Sequence, residues 1–258
     1  MTVLQSIILG IVEGATEFLP VSSTGHLILV ASLLGVLQTD FAKTFEIAIQ
    51  LGAILAVVVL YWKRFFDWNL LFKLAAAFVP TGLIGLALYR VEKAYLLGND
   101  WIVLASLFVG GIVLIAFEYL YGKRESDAPE LPPESLTYAQ AIAVGFAQAV
   151  SIIPGVSRSG ATIVGGMLLG ISRPTIVAFS FLLAVPTMLA ATGLSLVKSS
   201  FTFTSSEWLV LGVGFAVSFA VALPVVRWLL NYVRSHSFVA FGIYRIALSV
   251  LFAAWLLL

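Results

Sequence analysis

The stretch Glu13-Gly14-Ala15-Thr16-Glu17-Phe18-Leu19-Pro20-Val21-Ser22-Ser23-Thr24-Gly25-His26 interrupts an apolar run that otherwise extends from Val3 to Leu37. Two acids four residues apart lie on one helical face, and Pro20 with the Ser-Ser-Thr-Gly turn ends that helix and starts another. A second interruption, Pro154-Gly155-Val156-Ser157-Arg158-Ser159-Gly160-Ala161-Thr162, falls inside the apolar region from Ala139 to Ile171. Neither region reads as one clean helix; each reads as a helix, a break and a second helix.

The surroundings decide what such breaks mean. Of the 258 residues, 61% are apolar and only 10% are charged, which excludes both an ordinary soluble globule and a disordered chain. A hydrocarbon core of about 30 Å needs about 20 helical residues. Six runs qualify: Phe41 to Trp62, Leu71 to Tyr89, Trp101 to Tyr121, Pro174 to Val197, Trp208 to Leu230 and Phe238 to Leu258. Non-helical backbone at membrane depth is tolerated only where protein or a water-filled cavity satisfies its polar groups, so the two broken regions are expected to be re-entrant hairpins lining a site. The expected architecture is an all-α integral membrane protein of six transmembrane helices and two broken re-entrant hairpins.

Laying the second half on the first at an offset of 135 residues pairs Gly10 with Gly145, Val21 with Val156, Ser22 with Ser157, Gly25 with Gly160 and Leu34-Gly35 with Leu169-Gly170. One hairpin plus three spans crosses the bilayer an odd number of times, so the second copy would be upside down. This predicts an inverted-topology repeat: residues 1–121, a linker over 122–137 and residues 138–258. With the first full span running inward, Lys63, Arg64, Lys73, Lys123, Arg124, Arg173, Arg227 and Arg234 become cytoplasmic, against Lys43, Arg90, Lys93 and Lys198 outside. The segment Met1 to Gly10 has no basic n-region, so the spans themselves are expected to do the targeting.

Charge and composition remove several function classes. A net charge of +1 gives no concentrated basic face, hence no nucleic-acid partner, and the absence of cysteine excludes disulfides, thiolate metal sites and thiol nucleophiles. Acids within the membrane are costly, and two on one face imply a compensating cation or shared proton. Glu13 and Glu17 are therefore candidate ligands of a divalent cation, Mg²⁺ or Ca²⁺. His26 can exchange protons near neutral pH. In the second break, Arg158 carries a planar cation whose fork matches phosphate oxygens, Ser157, Ser159 and Thr162 supply adjustable donors, and Gly160 opens the helix start. One break offers acids and imidazole and the other an anion cradle, a division that suits phosphoryl transfer. Glu46, Gln148 and Arg245 form a second rank of intramembrane polar groups, Arg245 being equally readable as a structural counter-ion. Glu118 is expected to snorkel to the cytoplasmic interface.

At these residues the sequence resembles the undecaprenyl-diphosphate phosphatase family, also called the bacitracin-resistance family, of bacterial cell-wall lipid recycling. The resemblance rests on Glu13-Gly14-Ala15-Thr16-Glu17, on Pro20 to His26, on Pro154 to Thr162, on Lys43-Thr44-Phe45-Glu46 and on Gly242-Ile243-Tyr244-Arg245. It implies removal of the terminal phosphate from undecaprenyl diphosphate, divalent-cation dependence, and a multi-pass protein of the bacterial cytoplasmic (inner) membrane whose active site opens to the periplasmic or extracytoplasmic side; a homodimer is one assembly it allows. By position, Glu13, Glu17, Ser23, His26 and Arg158 become catalytic, with Ser23, His26 or water as nucleophile, and Ser22, Ser157, Arg158, Ser159, Gly160 and Thr162 hold the diphosphate. A carrier of phosphorylated prenyl lipid is the competing reading, because broken helices and a midplane anion site also describe transporters. A likeness of Pro20 to His26 to the type-2 phosphatidic acid phosphatases fails, since their upstream K-x-x-x-x-x-x-R-P element is missing.

Overall fold

The computed structural model describes residues 1–37, 39–91, 99–125, 129–198 and 203–257. Within them all regular structure is helical: α1 (Val3–Thr16), α2 (Ser23–Leu33), α3 (Asp40–Leu60), α4 (Trp68–Val91), α5 (Asp100–Glu125), α6 (Tyr138–Ala149), α7 (Arg158–Leu168), α8 (Arg173–Lys198), α9 (Ser205–Tyr232) and α10 (Val239–Leu256). The six helices long and apolar enough to cross a membrane are α3, α4, α5, α8, α9 and α10, and each starts and ends within a few residues of its sequence expectation. The other four form two pairs. At about 1.5 Å per residue, α1 and α2 are each well short of a bilayer core.

Local chemistry sets the ends of these short helices, and it does so twice. Thr2 with Gln5, and Thr137 with Gln140, form capping boxes at the starts of α1 and α6. Ser22 and Ser157 cap α2 and α7, their Oγ atoms accepting from Gly25 N at 3.4 Å and Gly160 N at 3.1 Å. Past the ends of the same two helices, Gly35 and Gly170 take positive φ (62° and 76°). The chain then folds back, Val36 N donating to Ala31 O at 2.9 Å and Ile171 N to Gly166 O at 3.1 Å.

In lipid the helices gain little from apolar burial against one another, so close backbone approach carries the packing. The helix α9 packs along both α1 and α3, α5 along α10, and α4 along α6. At the first contact a Cβ on Gly10 would lie 2.7 Å from Gly214 O; at the last, Gly145 meets Ala77 O. Ser6 and Ser218 add hydroxyl bonds to Val210 O (2.6 Å) and Ile49 O (2.7 Å). The centre of the bundle is α8, where Ile176, Val177, Phe179, Phe181, Leu182, Leu183 and Ala184 are fully buried. Trp62, Trp68, Trp101, Trp208 and Trp228, at or near helix ends, are exposed as expected of interfacial rings.

The linker is less of a free loop than its composition suggests. Its first residues prolong α5 to Glu125, so the expected boundary at residue 121 falls inside a helix. Further on, Leu131 N donates to Thr175 Oγ1 (3.0 Å), Lys73 Nζ donates to Glu134 O (2.6 Å), and the Glu134 carboxylate pairs with Arg64. Glu118 corrects an expectation. Instead of reaching water it is buried, with Oε2 3.0 Å from Arg173 Nη2 and Oε1 accepting from Phe238 N at 2.7 Å, and so closes the start of α10.

Candidate active site

The two breaks meet. Glu17 stands at the C-terminal end of α1, Ser23 is the first residue of α2, and Arg158 is the first residue of α7. Arg158 Nη2 donates to Glu17 Oε1 at 2.6 Å, and Ser23 Oγ donates to Glu17 Oε2. One carboxylate therefore holds a hydroxyl on one oxygen and a guanidinium on the other, with its side chain only 4% exposed. Arg158 spends one of its nitrogens on this pair; Nε and Nη1 are buried with no protein acceptor. Burying unpaired guanidinium hydrogens is costly unless an anion takes them up. A phosphate, with oxygens in the plane of that fork, fits them.

One helical turn before Glu17, Glu13 is wholly buried and neither carboxylate oxygen has a hydrogen-bond partner. Glu17 and Arg158 act on it electrostatically, and Glu46 does so more weakly. Two unbonded carboxylate oxygens beside an anion cradle suit a hard divalent cation, which takes one or two protein carboxylates together with phosphate oxygens.

His26 is brought near the break but does not meet Arg158. Its Nδ1 lies 2.8 Å from Ser22 O, its Nε2 lies 2.7 Å from Tyr244 Oη on α10, and the two rings are nearly parallel at 8°. Ser22 is the one described non-glycine residue with positive φ (70°), a conformation costing on the order of 1–3 kcal/mol that its surroundings must hold.

The hydroxyls of the second break face the first break. Ser159 Oγ donates to Leu19 O at 2.8 Å; Ser157 Oγ lies 2.9 Å from Ser159 Oγ and accepts from Gly160 N. Thr162 Oγ1 reaches Arg158 O, Ser159 O and Ser180 Oγ. Here these groups brace one break against the other and against α8. Arg245 does the same on a larger scale, in a bracing role rather than an ion pair. It is 2% exposed and donates to the carbonyls of Pro20 (3.2 Å), Gly155 (3.1 Å), Ser106 (3.1 Å) and Leu107 (3.3 Å), thus pinning both breaks and α5 to α10. Gln148, fully buried, donates from Nε2 to Thr81 Oγ1 (3.1 Å) and Thr187 Oγ1 (3.0 Å). Sequence reasoning quoted Tyr244 without ranking it; the only available signal was its place beside Arg245.

Fold and site together define a polytopic helical membrane protein with a buried carboxylate, hydroxyl and guanidinium cluster assembled from two broken helices. The model of the family described as bacitracin resistance protein BacA matches residues 6–251, and the chain belongs to that family. Among its relatives are proteins named undecaprenyl-diphosphatase from Aquifex aeolicus (strain VF5), 51% identical over 261 residues with 100% of each chain covered, and from Sulfurihydrogenibium sp. (strain YO3AOP1), 50% identical over 99% of this chain and 100% of the relative. A third, from Wolinella succinogenes, is 50% identical over 99% of both.

Proposed function

We propose that the chain is a membrane phosphatase that hydrolyses undecaprenyl diphosphate to undecaprenyl phosphate and inorganic phosphate, returning the cell-wall lipid carrier to use and conferring the bacitracin resistance for which its family is named. The observation that carries the chemistry is Glu17 holding Ser23 Oγ on one oxygen and Arg158 on the other. Phosphoryl transfer asks the protein mainly to position groups and stabilise charge. Arg158 offers its free hydrogens to the terminal phosphate, Ser23 Oγ attacks phosphorus as its proton passes to Glu17, and the bond to the bridging oxygen breaks, releasing undecaprenyl phosphate. Water then attacks the phosphoserine as Glu17 returns its proton to the leaving Ser23 Oγ; the water oxygen departs on phosphorus with its hydrogens as inorganic phosphate, and Ser23 and the Glu17 carboxylate are restored. The competing nucleophile is His26, but its Nε2 is engaged by Tyr244. A carrier would have no need of a hydroxyl seated on a carboxylate.

Glu13 would hold a divalent cation, Mg²⁺ or Ca²⁺, through the two oxygens the protein leaves unbonded. When bound, such an ion supplies positive charge to the diphosphate oxygens. Glu46 acts electrostatically on Glu13 and would help set the charge around it.

The same reading includes an inverted duplication with re-entrant hairpins. Its support is the recurrence of capping boxes, helix-starting serines and left-handed glycines at a constant spacing of 135 residues, and the exchanged packing of α1 on α9 and α6 on α4. Arg64, Lys73, Arg173 and Arg234, all four tied to linker residues or to Glu118, would mark the cytoplasmic face of the bacterial inner membrane, with the site opening to the other side. Every group of the site comes from one chain, so the homodimer allowed by the sequence would leave each site whole.

The test is release of inorganic phosphate from undecaprenyl or farnesyl diphosphate by purified protein in detergent. Ser23→Ala and Arg158→Ala are expected to lower kcat/KM by about 10³-fold or more, as losses of a nucleophile and of a charge stabiliser do. A chelator is expected to stop turnover and added Mg²⁺ or Ca²⁺ to restore it. Undiminished turnover by Ser23→Ala would remove the serine route, and movement of a labelled lipid without phosphate release would favour the carrier.

A further inference from the structure

The hydrogen bonds around His26 can be assigned donors and acceptors without ambiguity for the neutral ring. Ser22 O accepts from His26 N at 3.2 Å and from His26 Nδ1 at 2.8 Å. A carbonyl can only accept, so Nδ1 carries a hydrogen; Nε2 of a neutral imidazole is then an acceptor, and Tyr244 Oη donates to it at 2.7 Å. The carbonyl that His26 grips belongs to the peptide joining Ser22 to Ser23. Ser22 is held at φ 70° and ψ 91°, outside the wells a serine prefers, so the plane of that peptide needs an external hold. Ser23, the next residue, has its hydroxyl on Glu17.

We infer that Tyr244 is a positioning residue for the phosphatase reaction: by donating to His26 Nε2 it fixes the ring plane of His26, whose Nδ1–H then locks the strained Ser22–Ser23 peptide and so aims Ser23 Oγ at Glu17 and the phosphate. The placement of Tyr244 is itself secured. Its neighbour Arg245 is clamped to Pro20 O in the first break and to Gly155 O in the second, so α10 cannot shift relative to either break without breaking those bonds. Tyr244 is also 45% exposed, reaching from the flank of the bundle to a histidine that is 6% exposed. A tyrosine kept only for apolar filling would not need its hydroxyl on a buried imidazole. In this account His26 acts first through backbone, by holding Ser22, rather than by touching Ser23.

The inference rests on the phosphatase reading, and its experiment separates the two. The chain has two histidines, and the other, His236, is exposed and serves as the internal reference. In wild-type protein labelled with ¹⁵N-histidine, His26 near neutral pH is expected to show a protonated Nδ1 and a hydrogen-bonded, unprotonated Nε2. Tyr244→Phe, which keeps the ring, is expected to move the Nε2 resonance alone. It should also lower kcat about three- to ten-fold, the range that one lost neutral hydrogen bond implies, with KM within about two-fold. Site-specific 3-fluorotyrosine at 244, a stronger donor of the same shape, should move Nε2 the opposite way with turnover kept within about two-fold. A wild-type proton on Nε2, or Tyr244→Phe with kcat and the Nε2 resonance both unchanged, overturns the positioning role while leaving the phosphatase intact. Wild-type protein that releases no phosphate overturns the phosphatase reading instead.

Discussion

The two breaks share a scaffold and differ in what they hold. Each follows a short helix opened by a Thr and Gln capping box and leads into an eleven-residue helix capped by a serine. In the first, the turn is made with positive φ at Ser22; in the second, with positive φ at Gly155 (89°). Glycine adopts that conformation freely, whereas serine must be held there. The second break is thus a relaxed turn whose hydroxyls act as braces, and the first is a constrained turn that delivers Ser23 to Glu17. The difference teaches that one backbone design can deliver two different parts of one site, a hydroxyl seated on a carboxylate from the first break and the Arg158 guanidinium from the second. Which use prevails depends on side chains at equivalent positions: Ser23 faces Arg158, and Glu13 corresponds to Gln148.

The sharpest way to break this contrast is to exchange equivalent positions. Glu17→Gln is expected to lower kcat/KM by about 10³-fold, because both Ser23 and Arg158 lose their shared anion. Ile152→Ala, 135 residues on, should change it less than about three-fold. Phosphate release read on both variants checks the pair, and equal losses would mean that position 152 carries as much of the reaction as position 17.

Next in size is Gln148→Glu. The Nε2 donors to Thr81 and Thr187 disappear and an acid is placed against two threonine hydroxyls; insertion scales put such a residue at about 3 kcal/mol. A clearly lowered thermal midpoint in detergent is the expected result, and an unchanged one would show that the second half tolerates acid as the first does.

Smaller still is the turn itself. Gly155→Ala would carry a Cβ at positive φ and 2.5 Å from Val103 O, destabilising the fold by roughly 1–3 kcal/mol. Ser22→Gly relieves the first turn of its φ constraint and costs only a few tenths of a kcal/mol as a cap. Its stability should therefore change little while turnover falls, since the Ser22–Ser23 peptide gains freedom. Thermal midpoints beside kcat for the two variants sharpen the claim that one turn is relaxed and the other held.

Much of this was legible in the chain. Runs of about twenty apolar residues announced six long helices, because a helix satisfies its own backbone groups in lipid and takes about that length to cross it, whereas a barrel strand needs about half as many residues. The breaks announced themselves by Pro20, Pro154, Gly155 and their charges, and the cost of burying acids and Arg158 singled out the site. Other features were not legible. Arg245 looked like a counter-ion but binds four carbonyls, and Glu118 looked interfacial but caps α10. Ser157 and Ser159 were legible as candidate anion ligands, but not their bonds to Leu19 O and to each other. Most of these partners are backbone atoms distant in sequence, and backbone atoms carry no side-chain signature to read.

Apolar periodicity, chain length and the placement of a few expensive charges belong to the sequence alone, because they follow from the free energy of each residue in lipid. That Glu17 would be shared between Ser23 and Arg158, that His26 would hold a peptide rather than a proton donor's post, and that Tyr244 would reach it from 218 residues away were decided only when the helices packed. The reason is physical: burial is a property of single residues, whereas a hydrogen bond of under 3 Å is a property of two positions that the chain brings together only in three dimensions.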